Sequence, residues 1–128
     1  MQFSCSVQPC QIVCLEHHET CLYAEVIQIL ATRSMFWLRP LMLVVGPVLT
    51  RPPFPDESRD LYDLRQGADL VWPQSLFRLA LDTEVIPLLM ELESFPPPEP
   101  GFSPIAHDRL RSFVQEVWQA HPEAFEGC

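Results

Sequence analysis

Residues 11–45 alternate apolar stretches with short polar breaks and are rich in Val, Ile, Leu, Phe, Tyr and Trp, side chains that suit a pleated surface. The pattern predicts three strands, at about 11–16, 20–31 and 35–45, with a turn at Thr32–Ser34. In the second, Cys21, Tyr23, Glu25, Ile27 and Ile29 point one way and Leu22, Ala24, Val26, Gln28 and Leu30 the other. Both faces are mostly apolar, so this strand is expected to be covered on both sides, in a partial barrel or in a sheet capped by a helix. Pro40 lacks a backbone donor, which makes the third strand either an edge strand or bulged at that point.

Beyond residue 50 the pattern changes. TRPPFPDESRD at 50–60 and FPPPEPGFSP at 95–104 are proline-rich connectors, because proline removes ladder donors and keeps its neighbours extended. Between them lie a turn at Gln66-Gly67, a short strand at about 69–72, and a helix at about 83–93. That helix is capped by Asp82 or Thr83 and carries Val85, Leu88, Leu89 and Leu92 on its apolar face. Helical spacing is clearest at the end. Ser103 caps, Pro104 takes the first helical position, and Ala106, Leu110, Phe113, Val114, Val117 and Trp118 form one stripe that runs to Pro122. The expected fold is α+β: one domain over residues 1–128, with a small antiparallel sheet or partial barrel packed by the C-terminal amphipathic helix and a shorter helix before it.

Charge narrows the choice of partners. Residues 1–54 are neutral overall, and residues 55–128 supply the whole net charge of −9, with fourteen acids against five arginines. A chain without a basic cluster lacks the means to neutralise phosphates, so nucleic acid and anionic membranes are not expected partners. The most apolar stretch, MFWLRPLMLVVGPVLT, is broken by Arg39, Pro40 and Pro47 and is too short to span a bilayer. MQFSCSVQPC does not read as a secretory signal, and a reducing cytosol with free thiols is the expected setting.

CQIVCLEHHETC at 10–21 carries the only concentrated ligand chemistry. Cys10, Cys14, His17 or His18, and Cys21 are the atom types of a zinc site, but their spacing is compressed relative to paired zinc knuckles. A hairpin with His17–Thr20 as its loop pairs Glu16 with Cys21, Leu15 with Leu22 and Cys14 with Tyr23. On that reading Cys14 and Cys21 face opposite sides of the sheet, so the expectation is a hairpin with buried thiols, with neither a metal nor a cofactor. No nucleophile elbow, C-x-x-C motif or glycine-rich phosphate loop is present, and His107-Asp108 reads as helix surface, so no catalytic residue is assigned.

LYAEVIQILATRSMFWLRPLML and LVWPQSLFRLALDTEVIPLL resemble segments of small, uncharacterised proteins of cyanobacteria. The resemblance implies a cytosolic protein of a photosynthetic bacterium and carries no activity with it. Of the three tryptophans, Trp118 and Trp37 are expected in the core, and Trp72, beside Pro73, partly exposed. Trp72, with Phe95 and Pro97 of the FPPPEP segment, is the expected surface for another protein. The function read from sequence is a non-enzymatic accessory or protein-interaction domain. The alternative is a metal-binding or thiol-redox protein using the N-terminal Cys/His cluster.

Overall fold

Alternating β-formers on either side of two tight turns fold residues 12–45 into a meander of β1 (Ile12–His17), β2 (Thr20–Leu30) and β3 (Met35–Val45). The structure, a computed structural model, describes residues 7–46, 60–94 and 104–125; Phe95, Pro97 and Ser103 lie outside them. The first turn is the two-residue loop His18-Glu19, closed by the pair His17↔Thr20. The second is a single 3-10 turn, Ala31–Arg33, ended by Ser34 at φ 56°.

Three strands that the hydrophobic pattern left partly or wholly unread complete the sheet: β4 (Asp60–Asp63), β5 (Leu70–Pro73) and β6 (Arg78–Leu79). All pairings are antiparallel. The order is β4-β3-β2-β1-β6, and β5 also lies against β3, so that β4 takes residues 42–45 of that edge and β5 takes 35–38. α1 (Asp82–Glu93), α2 (Pro104–Ala120) and the short α3 (Pro122–Phe125) follow, making an α+β fold.

The sheet is covered on both faces, as the doubly apolar β2 requires. Leu22, Ala24 and Val26 share one core with Leu38 and Leu43 and with Ala106, Phe113 and Val117 of α2. Cys14, Cys21, Tyr23 and Met42 share a second core with Val85, Leu88 and Leu92 of α1. Two bulges adjust the alternation. Tyr23 pairs with Met42 but Ala24 with Pro40, which leaves Leu41 as the extra residue beside the proline and confirms a bulged, interior β3. Val26 pairs with Leu38 but Gln28 with Trp37, so Ile27 is extra and Ile29 returns to the α2 side. Strict alternation puts Ile29 with Tyr23; the bulge reverses that.

α1 starts one residue earlier than expected, with Leu81 at the N-cap and Asp82 in the first turn. Leu81 has no side-chain acceptor to offer, but Glu84 reaches back and accepts the Leu81 N–H at 2.9 Å, the half of a capping box that a leucine permits. Among the described residues, no helix is long and apolar enough to cross a membrane.

His18 sits at φ 55°, a left-handed conformation that costs an L-residue with a side chain roughly 1 kcal/mol or more and that two-residue hairpin loops usually assign to glycine or asparagine. His18→Gly is therefore expected to raise unfolding free energy by about 0.5–1 kcal/mol, after allowing for glycine's freer unfolded chain. Urea melts of the two proteins check this, and a loss of stability would mean that the His18 side chain contributes more than the strained backbone costs.

Candidate functional site: a dithiol beneath the first helix

The hairpin register is the one expected, with Cys14↔Tyr23, Leu15↔Leu22 and Glu16↔Cys21. Residues directly paired across strands share a face, as do residues two apart on one strand. Cys14, Glu16, Cys21 and Tyr23 therefore all lie on the α1 face, and the assignment of Cys14 and Cys21 to opposite sides is corrected. The two Sγ atoms and a Glu16 carboxylate oxygen lie within 4.8 Å of one another. Cys14 and Cys21 are buried free thiols.

The histidines are the ligands that the fold separates from this group. His17, one residue from Glu16, turns to the α2 side, where its ring meets Phe113 edge-on at 6.2 Å, lies tilted against His18 at 4.2 Å and sits 3.9 Å from the Glu116 carboxylate. Burial, and then the neighbouring charge of His18, hold its pKa below the ordinary value. Cys10 is exposed at φ 77° ahead of β1, and its N–H donates to the Val26 carbonyl at 2.7 Å. Neither residue belongs to the dithiol cluster.

Arg78 organises the charges above the thiols. β6 pairs Arg78 with Cys14, which puts the guanidinium on the same face. Its Nη2 donates to Glu16 Oε2 at 2.6 Å and to Glu84 Oε2 at 2.8 Å, while Nη1 donates to Glu84 Oε1 at 3.0 Å. The Tyr23 hydroxyl donates to Glu84 Oε2 at 2.7 Å. Glu84 thus ties α1 to β2, to β6 and to its own N-cap. Burial pushes the Glu84 carboxyl up, but hydrogen bonds from Arg78, Tyr23 and the Leu81 N–H outweigh it and bring the pKa down to about 2. The hydrogen bonds from Arg78 to Glu84 and Glu16 in turn raise the arginine's own pKa.

The hydrogen bond between the two sulfurs, together with burial, pushes the Cys14 thiol far up. The same bond draws Cys21 down against its own burial. Such a site can accept a soft electrophile or cation from the Glu16 side, which is the exposed side of the group.

The tryptophans stand opposite to expectation. Trp72 is 7% exposed, because β5 pairs it with Phe36 and the Phe125 ring of α3 closes over it at 5.3 Å. Trp118, at 58%, and Trp37, at 37%, are exposed. Trp118 is one residue past Val117 and so about 100° away from the centre of the α2 stripe. Trp37 Nε1 donates to Asp69 Oδ2 at 2.9 Å, a satisfied surface tryptophan. Of the expected interaction surface, Trp72 is thus buried, and Phe95 and Pro97 lie outside the described residues.

Exposed apolar area collects elsewhere. α1 buries Val85, Leu88 and Leu92, yet its outward side carries Ile86, Pro87 and Met90, with Leu81 at the N-cap 62% exposed and Met90 69%. Composition gave the sign of this: seven of the twelve α1 residues are apolar, more than one buried stripe uses. A separate apolar hollow of about 260 Å³ lies between the 63–70 segment and α2, walled by Leu64, Leu70, Leu110 and Val114. His107 and Arg111 also line it, and Arg111 Nη2 lies 3.4 Å from His107 Nε2.

Comparison with family models, with curated proteins and with solved structures gave no match for this chain.

Proposed function

We propose that this protein is a non-enzymatic protein-interaction domain of a reducing cytosol and that the outward face of α1 is its docking surface. The observation that carries this reading is the apolar outer face of α1: Ile86, Pro87 and Met90 lie on a helix whose other side already fills the core. Patches of this kind on a folded domain serve binding more often than solubility. Asp82 and Glu93 border the patch on one side and Glu91 on the other, so the partner that fits presents an apolar groove rimmed by Lys or Arg. A second copy of the chain fits poorly, since a two-fold contact would set each acidic rim against itself.

A photocrosslinking residue at Met90, with a second chain carrying it at the solvent-facing Gln115 of α2, tests the assignment in cells. A discrete adduct is expected from position 90 alone, abolished by Ile86→Asp and weakened by raised salt during binding. Equal adducts at both positions, or an adduct of twice the chain mass, would remove α1 as the site for a different partner. Ile86→Asp itself should change stability by no more than about 0.5 kcal/mol, because the position is exposed.

A further inference from the structure

We propose that Cys14 and Cys21 form a two-thiolate site for a soft monovalent cation of the copper(I) class, with Arg78 as its fixed counter-charge. Two sulfurs from neighbouring strands lie close enough for one ion to bridge them. They do so at the border of a core made of Tyr23, Met42, Val85, Leu88 and Leu92, where water has little access. Thiolate donors in an apolar surrounding select soft ions that need few ligands.

Ligand number decides between monovalent and divalent occupants. Two thiolates satisfy a soft monovalent ion, whereas a divalent ion such as zinc takes four ligands. Arg78, held by two carboxylates at 2.6 and 2.8 Å, stays beside the sulfurs and offsets part of the thiolate charge. Glu16 could serve as a third ligand for a divalent ion, but its Oε2 is already engaged by Arg78. Loading exchanges protons for the ion: Cys14 and Cys21 each lose the thiol proton to solvent, two S–metal bonds form, and no electron is transferred.

The test uses the full chain with Cys5→Ser, Cys10→Ser and Cys128→Ser, which leaves only the two strand thiols, titrated without oxygen against the coloured bicinchoninate complex of copper(I). The expected result is withdrawal of one copper(I) per chain. Cys21→Ser should weaken it by at least about 100-fold and Arg78→Gln by roughly 10-fold, with Glu16→Gln leaving it unchanged. Because a serine in the core can unfold the chain, Cys14→Ala and Cys21→Ala are run beside it, with circular dichroism to confirm the fold. X-ray absorption on the copper-loaded parent should show two sulfur neighbours and no oxygen neighbour. No withdrawal by the folded parent, or withdrawal that survives the alanine variants, overturns the site. Tight zinc binding lost in Glu16→Gln, or an oxygen neighbour at the loaded metal, overturns the monovalent assignment.

Discussion

Phe113→Ala is expected to lower the unfolding free energy by about 3–5 kcal/mol, and Trp118→Ala by about 1 kcal/mol or less, although both residues belong to the same sequence stripe. Phe113 is among the buried residues that join α2 to β1, β2 and β3, and truncation leaves a cavity that a rigid sheet cannot collapse to fill. Trp118 has the larger side chain but is largely exposed, its ring 6.0 Å from that of Phe125. Denaturant melts with unchanged m-values give both numbers. An equal cost for the two would mean that Trp118 is covered in solution and belongs to the α2 core.

Glu84→Ala should cost about 2–3 kcal/mol at neutral pH, since it removes the acceptor of Arg78, of the Tyr23 hydroxyl and of the Leu81 N–H, and bonds to charged groups contribute more than neutral ones. The sign of the pH effect follows from the direction of the shift. Glu84 titrates near 2 in the folded chain against an ordinary 4.5, so its contribution is complete above 4.5 and fades as the pH falls towards 2. The parent protein should lose stability across that window, and Glu84→Ala should lose less. Parallel acid limbs for the two proteins would show that Glu84 is not the group responsible. Tyr23→Phe, which leaves the Arg78 contact intact, should cost about 1 kcal/mol.

Local pattern carried much of the fold. β1, β2, β3, α1 and α2 were legible within a residue or two, because the strands are runs of β-formers bounded by polar breaks and the helices show 3.6-residue spacing over a long enough run. β4 and β6 are too short to show a period, and they owe their pairing to neighbours distant in sequence. α3 was hidden by Pro122, which reads as a stop but also opens a new turn, and that turn brings Phe125 over Trp72. The burial of Trp72 could therefore not be read from its own surroundings in the chain.

The candidate site was legible in its register and lost in its parity. Pairing Cys14 with Tyr23 already places Cys14 on the face of Cys21, and the thiols needed no three-dimensional information to be brought together. Arg78 and Glu84 were a different matter, since nothing in the sequence shows that β6 docks beside β1 or that α1 folds back over the thiols. Their spacing of six residues has meaning only once the short strand and the helix cap are known.

The two longest strands, β2 and β3, are the most apolar part of the chain and would be its chief hazard for amyloid growth if either lay at a border. They lie in the interior. On one side β3 is fenced by two four-residue strands that share its length, β5 ending in Pro73, and on the other β1 is bordered by the two-residue β6. Among the described residues no border offers an incoming chain a long template, so sheet extension has little purchase there. Loss of β4 and β5 together would change that at once, exposing β3 along most of its length. Conditions that detach the 60–73 segment should therefore precipitate the protein well before they unfold the meander.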